Sequence, residues 1–205
     1  MGSSSLEAEL FAAFSQAQSA GKPGLLLAGP IGSGKTKAAR ILAAILLEKG
    51  FSVAGIVSPR ILKAGETVGY VTQDIRTGKT LPLCAKLSPS SPLGGNFSPI
   101  PSPVGGEGQG EGEIFRFRRF FFSQKALDFA NSVLEEAAGK AEVIVVDEVG
   151  PLELSGRGFA PGLQVCREAN AFLILTVRPH LLSSVKSWLN LESAEILFLR
   201  GEGGR

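Results

Sequence analysis

Residues 29–36 read Gly-Pro-Ile-Gly-Ser-Gly-Lys-Thr and match the Walker A pattern G-x-x-x-x-G-K-[ST]. In this pattern the backbone N–H groups of a glycine-rich loop surround phosphates, the lysine reaches the β- and γ-phosphates, and the last hydroxyl holds Mg²⁺. Lys35 and Thr36 take these two positions. The chain is therefore predicted to bind a nucleoside triphosphate with Mg²⁺ as cofactor, through Gly29, Pro30, Ile31, Gly32, Ser33, Gly34, Lys35 and Thr36.

The residues on either side of this loop predict the strand, loop and helix order that phosphate binding needs. Residues 25–28 form a short apolar run, which is typical of a strand buried on both faces. Residues 37–49 contain no glycine or proline and are rich in Ala, Ile and Leu, so they indicate a helix that Gly50 ends. The positive end of that helix would then face the phosphates. A dinucleotide-binding G-x-G-x-x-G is excluded because Lys37 stands where its last glycine belongs.

A second chemical signal lies in residues 143–148, where four apolar residues precede Asp147 and Glu148. Such a run predicts a central strand, and its acidic end would lie at the carboxyl edge of the sheet, where α/β sheets bind ligands. We expect Asp147 to hold Mg²⁺ together with Thr36, as a Walker B aspartate, and Glu148 to orient or deprotonate the attacking water. Because neighbours in an extended strand point to opposite faces, the pair is expected to divide these roles.

Other uses of the same loop stay open. The sequence Asp-Glu-Val-Gly at residues 147–150 also fits the D-x-x-G of GTPases, but no Asn-Lys-x-Asp follows to read guanine. A dedicated regulatory GTPase is therefore not favoured, although GTP remains a possible substrate. The Asp-Glu pair favours hydrolysis over transfer to a bound hydroxyl. The alternatives are a P-loop small-molecule kinase, with a nucleoside or nucleotide as acceptor, and a nucleotide-dependent switch that acts on a protein partner.

Composition limits the remaining classes of protein. The 205 residues, 44% hydrophobic and 20% charged, suit a single domain spanning residues 1–205. A net charge of +2 gives little reason to expect nucleic acid or an acidic membrane, and no feature identifies a protein partner.

Cys84 and Cys166 form no C-x-x-C, and no signal-peptide pattern is present, so we expect reduced thiols and a cytoplasmic location. The longest apolar run, residues 41–47, is too short to span a membrane. The single histidine, His180, excludes a His-rich metal site.

The remaining apolar patterns predict the elements that must position these residues. Strands alternating with helices imply a mostly parallel sheet with right-handed crossovers, and the alternating residues 67–75 with a Thr-Gly turn indicate a small antiparallel extension. The predicted strands are residues 25–28, 52–57, 67–75, 114–122, 142–148, 172–177 and 195–199, and the predicted helices are residues 6–17, 37–49, 124–138 and 181–189.

Residues 88–113 have a different composition, because seventeen of these 26 residues are Pro, Gly or Ser. Such a segment cannot bury a core, so we expect a flexible loop inserted in the domain, with a lid over the nucleotide as the alternative.

Several side chains near predicted strand ends are candidates for the γ-phosphate. Arg60 and Arg178 come first, and the basic residues Arg116, Arg118 and Arg119 come second, since they fit the solvated face of an edge strand. Thr176 is either a γ-phosphate sensor or an ordinary buried strand residue.

The two motifs together resemble a known family. Residues 147–154, Asp-Glu-Val-Gly-Pro-Leu-Glu-Leu, after a Walker A loop ending in Gly-Lys-Thr, are similar to the small P-loop nucleoside-triphosphatases first described in thermophiles, which include the human cancer-related nucleoside-triphosphatase. Residues 55–78 are similar as well, with Arg60, Gly65 and an Asp-Ile-x-Thr-Gly tail. The resemblance covers about residues 25–177.

This resemblance implies a three-layer α/β P-loop NTPase fold of RecA-like, additional-glutamate type, with a mostly parallel central sheet and a small antiparallel extension. It also implies Mg²⁺-dependent hydrolysis of ATP, GTP and other NTPs to NDP and phosphate. Lys35, Glu148 and Arg60 would be catalytic, and Glu153 occupies a further motif position. Thr67 stands where a basic residue is expected, and residues 88–113 are longer than the family pattern, so base preference and lid behaviour are not predicted.

Overall fold

The computed structural model describes residues 3–86 and 114–200. A ten-stranded sheet runs through them. Its strands are β1 (Gly24–Ala28), β2 (Val53–Val57), β3 (Arg60–Lys63), β4 (Glu66–Asp74), β5 (Thr80–Lys86), β6 (Ile114–Phe117), β7 (Phe120–Ser123), β8 (Val143–Val149), β9 (Phe172–Val177) and β10 (Glu195–Phe198). The helices are α1 (Ser3–Ser19), α2 (Lys35–Glu48), α3 (Gln124–Ala137), α4 (Pro151–Leu154), α5 (Ala160–Glu168) and α6 (Leu182–Trp188), with a 3₁₀ turn at Pro179–Leu181.

Five strands are parallel and lie in the order β10-β1-β9-β8-β2. The predicted site residues follow β1 and end β8, so both groups reach the same carboxyl edge. One strand, β9, lies between β1 and β8 and pairs with both. The end of β9 therefore lies between the phosphate loop and the acidic pair. No spacing in the sequence predicts this placement.

Helices cover both faces of the parallel strands, which makes the three layers expected from the sequence. Val143 and Val145 of β8 pack with α1 and α2, whereas Ile144 and Val146 pack with α3, α5 and α6. All four side chains are fully buried. Because each such side chain contributes about 1.5–3 kcal/mol when buried, the strand that carries the acidic pair is held firmly from both faces.

The antiparallel part is larger than predicted. Strand β4 pairs antiparallel with β2, and β3, β5, β7 and β6 add to it. The prediction of one strand over residues 114–122 is wrong, because the chain reverses at Arg118, which has φ 54°, and forms the β6–β7 hairpin. Packing explains the reversal. The rings of Phe115 and Phe122 stack with centroids 5.7 Å apart, so the run of phenylalanines folds on itself instead of lining one strand.

Most predicted elements of the parallel part are confirmed to within a few residues. Ser123 caps α3 as expected, since its hydroxyl accepts a hydrogen bond from the Ala126 N–H at 3.3 Å. The predicted helix over residues 181–189 begins instead with the 3₁₀ turn at Pro179–Leu181. Strands β3 and β5 and helices α4 and α5 were not predicted. Helix α4 is a single turn, β3 and α5 lie among glycines and prolines, and β5 contains Pro82. The predicted loop at residues 88–113 lies outside the described residues.

Within residues 3–86 and 114–200, no helix combines the length and the apolar character needed to cross a membrane.

Candidate active site

The phosphate loop joins β1 to α2 in a conformation that requires glycine. Gly34 precedes α2 with φ 83°, in the left-handed region that side chains rarely adopt. At Gly29 a Cβ atom would lie 2.2 Å from the Ser33 Oγ, so only glycine fits. The Gly29 N–H donates to the Val177 carbonyl at 3.3 Å, which ties the start of the loop to the end of β9.

The start of α2 is ready to bind an anion. No side chain in the described part of the chain caps it, so the positive end of the helix meets the loop without a capping group. Lys35 is buried, and its ammonium donates to the carbonyls of Gly29 at 3.0 Å and Pro30 at 2.9 Å. Burial lowers the pKa of Lys35, while the charges of Glu148 and Asp147 act in the opposite direction. An incoming phosphate would add to that opposing effect and favour the charged ammonium.

Asp147 is fully buried at the end of β8 and is held by the two neighbouring strands. Its Oδ2 accepts from the Ser58 N–H, just after β2, at 3.1 Å. Its Oδ1 accepts from the Thr176 hydroxyl of β9 at 2.5 Å. The aspartate therefore has one fixed orientation, set by the chain on both sides of β8.

The backbone at Glu148 departs from the regular strand that the sequence indicates, and this corrects the expected simple alternation. Glu148 has φ 63°, and the pairing of β8 with β9 shifts register between Val146 and Val149. Its N–H donates to the Thr176 hydroxyl at 2.8 Å. A left-handed glutamate is unfavourable on its own, so the surrounding structure must hold it, and the Thr176 hydroxyl fills the irregular step.

The Glu148 side chain reaches a cleft of about 670 Å³ that begins at the phosphate loop. Its Oε2 lies 3.7 Å from the Arg178 Nη2, and both side chains are about one-third exposed. Burial, followed by the Asp147 charge, raises the pKa of Glu148, while Arg178, Lys35 and Arg60 oppose this rise. A raised pKa makes the carboxylate a better proton acceptor, which suits a general base.

The side chains present fit a magnesium ion. The Thr36 hydroxyl and the Asp147 carboxylate are hard oxygen ligands, and Mg²⁺ needs only one or two protein ligands beside substrate phosphates. The Ser58 Oγ is buried next to Asp147 and has no hydrogen-bond partner among the described residues, so a ligand or water there would satisfy it. Within the described ranges no three His, Cys, Asp or Glu side chains are grouped so that they could hold a metal ion.

The predicted arginines separate into two groups. Arg60 is exposed and lines the cleft together with Lys35 and Glu148. Arg178 contacts Glu148. The hairpin arginines do not line this cleft: the Arg116 Nε donates to the Arg118 carbonyl at 3.1 Å, and Arg119 lies over the Phe120 ring.

Glu153 of the Gly-Pro-Leu-Glu-Leu segment is buried and supports the turn that follows the acidic pair. Its Oε2 accepts from the Gly150 N–H at 2.9 Å, and its Oε1 accepts from the Phe159 N–H at 3.3 Å. Burial raises the pKa of Glu153 to about 7, although these N–H groups act against the rise. Its position inside the fold makes Glu153 a support of the site. Ser58, which sequence reasoning missed, is a second supporting residue.

A phosphate loop at one strand end, with an aspartate and a glutamate two strands away on the same sheet edge, is the arrangement of a P-loop nucleoside-triphosphatase. The profile of a protein family described as NTPase matches residues 24–100 and 110–199, which is most of the chain. The chain therefore belongs to this NTPase family and is a nucleoside-triphosphate phosphohydrolase, which confirms the family predicted from the two motifs.

Individual relatives agree with this assignment. Nucleoside-triphosphatase THEP1 of Methanopyrus kandleri is 27% identical over 153 residues, covering 75% of this chain and 72% of the relative. Nucleoside-triphosphatase THEP1 of Korarchaeum cryptofilum is 26% identical over 182 residues, covering 88% and 80%. The solution structure of a human cancer-related nucleoside triphosphatase superposes with a TM-score of 0.58 at 21% identity, over 87% of this chain and 89% of that one, which supports the fold.

Proposed function

We propose that this protein hydrolyses the γ-phosphate of ATP, GTP and other NTPs, with Mg²⁺ as cofactor, to give NDP and phosphate. The observation that carries the proposal is the separation of the two adjacent carboxylates. Asp147 is buried and held by hydrogen bonds from Ser58 and Thr176, whereas Glu148 reaches the cleft beside Lys35. One carboxylate is thus suited to a fixed metal position and the other to a water molecule.

Each residue of the site has a role in this reaction. The loop N–H groups bind the phosphates, and Lys35 exchanges the Gly29 and Pro30 carbonyls for phosphate oxygens. Thr36 and Asp147 would hold Mg²⁺, whose charge neutralises the β- and γ-phosphates. Glu148 orients the attacking water and accepts its proton as the bond to the leaving oxygen breaks.

Arg60 supplies further positive charge from the wall of the cleft. We keep it as a proposed catalytic residue, because its guanidinium lies on the same cleft as Lys35 and Glu148.

The position of β9 supports the additional-glutamate type of P-loop domain. Because β9 lies between β1 and β8, the acidic pair is one strand further from the phosphate loop than it would be on an adjacent strand. We expect the attacking water to occupy this interval, between Glu148 and the γ-phosphate. The kinase alternative depended on the arginines of residues 116–119 as a lid over an acceptor, and these arginines of the β6–β7 hairpin do not line this cleft.

The rest of the cleft supports broad base tolerance. Beyond the loop it is lined by Arg40, Ile41, Ala44 and Pro59. Among the described residues that line it, no aromatic ring or side-chain amide is present to read the edge of a base. We therefore expect recognition of the triphosphate rather than of the base.

The two thiols support a cytoplasmic location. Cys84 and Cys166 are free and buried, and burial raises the pKa of each thiol to about 12. Such thiols are unreactive and compatible with a reducing compartment.

Phosphate release from ATP, GTP, CTP and UTP, with and without Mg²⁺, tests the proposal directly. We expect release from all four only with Mg²⁺. Glu148→Gln should lower kcat by about 10²–10⁴-fold, as loss of a general base does, and leave the affinity for Mg-ATP within about threefold. The exposed Glu192→Gln is the matched control and should behave as wild type. Wild-type turnover in the Glu148→Gln protein would remove the catalytic-glutamate role.

A further inference from the structure

We propose that Arg178 is a built-in γ-phosphate arginine that exchanges its partner, Glu148 in the nucleotide-free protein, for the γ-phosphate when a triphosphate binds. The inference rests on the proposed function, because it assigns Glu148 the water-orienting role. It adds that the Arg178 side chain must leave Glu148 before Glu148 can orient the water.

The first argument is the place of Arg178 in the sheet. Val177, the last residue of β9, is aligned with Ala28 of β1 and with Val149 of β8. Its carbonyl accepts from the Gly29 N–H at the start of the phosphate loop. Arg178 thus leaves the sheet directly between the phosphate loop and the acidic pair, where the γ-phosphate must lie.

The second argument is that the backbone of Arg178 is already fixed. Arg178 is extended, with φ −78° and ψ 141°, as expected before Pro179. Its carbonyl accepts from the Leu181 N–H at 2.9 Å. Only side-chain torsions need to change for the guanidinium to leave Glu148, so the exchange requires no rearrangement of the fold.

The third argument is the weakness of the present contact. The Arg178 Nη2 and the Glu148 Oε2 are 3.7 Å apart, which is too far for a hydrogen bond, and both groups are partly exposed to solvent. A γ-phosphate offers more negative charge and several acceptor oxygens, to which a guanidinium can bond in pairs. Arg178 therefore binds the γ-phosphate more strongly than it binds Glu148. The Glu148 carboxylate, which the phosphate repels, then becomes free to orient water.

Arg60 differs in each respect. It lies on β3, outside the parallel strands, and is exposed where it lines the cleft. From there it adds positive charge near the triphosphate as a whole rather than at the γ-phosphate alone.

The test compares ATP and ADP binding in the Glu148→Gln background, where bound ATP is not consumed, by calorimetry with Mg²⁺. Adding Arg178→Ala should weaken ATP binding at least about tenfold, as loss of a charge-assisted contact does, and change ADP binding by less than about twofold. Arg157→Ala is the control, since its guanidinium lies over the Phe115 ring outside the cleft, and it should change neither. Arg178→Lys should recover part of the ATP affinity.

Unchanged ATP binding, or an equal loss for ATP and ADP, would overturn the assignment. Single-turnover hydrolysis by Arg178→Ala alone should be slower by at least about 10³-fold, the lower end of what an arginine that stabilises the γ-phosphate contributes. The binding comparison needs no turnover. A wild-type protein that releases no phosphate would therefore count against the proposed function while ATP-over-ADP discrimination still decides the role of Arg178.

Discussion

The phosphate loop and the acidic corner, the latter made of Ser58, Asp147, Glu148, Thr176 and Arg178, are built in opposite ways. The loop is one continuous segment whose shape depends on its own glycines and on the start of α2. The acidic corner combines the ends of three strands, and its key contacts join residues 29 and 89 positions apart. The loop is thus a local structure, and its proposed role in phosphate binding falls mainly on its backbone. The corner is a tertiary structure, and its proposed role falls on side chains.

The difference extends to burial. Ile31, at the tip of the loop, is 63% exposed, whereas Asp147 and Thr176 are fully buried. A loop that must receive a ligand can remain open. A carboxylate that must hold one orientation cannot, because solvent would let it rotate. Variants in the loop should therefore change binding first, and variants of the two buried corner residues, Asp147 and Thr176, should change turnover and folding.

Lys35→Ala tests the loop and carries the largest expected effect. It removes a buried cation that phosphates would bind, so we expect kcat to fall at least about 10³-fold and the Kd for Mg-ATP to rise about 10–100-fold. Stopped-time phosphate release and calorimetry would measure both quantities. The exposed Lys125→Ala is the control. A loss of turnover with unchanged affinity would show that the lysine acts only in the transition state, and the contrast between loop and corner would disappear.

Thr176→Val tests the corner with a smaller effect. The valine keeps the shape but removes the hydroxyl that joins the Asp147 Oδ1 to the Glu148 N–H. We expect the free energy of unfolding to fall by about 1–3 kcal/mol, because a buried donor and acceptor lose their partner. The kcat should fall about 10–100-fold through misplaced carboxylates, while ADP affinity stays unchanged.

Thr176→Ser keeps the hydroxyl and should restore most of both properties. Denaturant unfolding and phosphate release on the three proteins would measure this. If the valine variant kept wild-type kcat, the hydroxyl would not position the acidic pair.

Glu153 should have the smallest effect on turnover, because it concerns stability rather than chemistry. Its pKa in the folded protein is raised to about 7 from 4.5, so the folded state keeps this proton longer than the unfolded state does. The resulting stabilisation is complete at low pH and is lost as pH rises towards 7. Between pH 5 and pH 8 this loss amounts to about 2–3 kcal/mol.

Glu153→Gln cannot ionise, so its free energy of unfolding should fall less than that of the wild type over the same interval. Urea unfolding at pH 5 and pH 8 would measure the difference between the two slopes. Parallel slopes for the two proteins would mean that Glu153 ionises in the folded state as it does in the unfolded chain.

The fold could be predicted best where each strand is a continuous apolar run. Strands β1, β8 and β9 appear at the predicted places, because burial on both faces leaves an unmistakable pattern of Leu, Ile and Val. The antiparallel part was predicted poorly. Its strands have one partly exposed face, and the reversal at Arg118 depends on the stacking of Phe115 on Phe122 rather than on a turn motif.

The site residues also divide into those that a motif predicts and those that only the fold brings together. Lys35, Thr36 and Asp147 could be named from motifs, because phosphate and magnesium chemistry demand those residue types at a loop and a strand end. Ser58 had no such signal, since a serine after a strand is common. Its position beside Asp147 follows only from the parallel pairing of β2 with β8.

The sequence by itself determined that a glycine-rich loop follows a buried strand at residues 29–36 and that an acidic pair ends another such strand, because glycine conformations and apolar strand patterns are local properties. Only the tertiary structure decided how the two carboxylates are oriented and what holds them. The insertion of β9 between β1 and β8 brings Thr176 to Asp147 and Arg178 to Glu148. These contacts depend on strand order, which forms when distant apolar segments pack together and which no local spacing encodes.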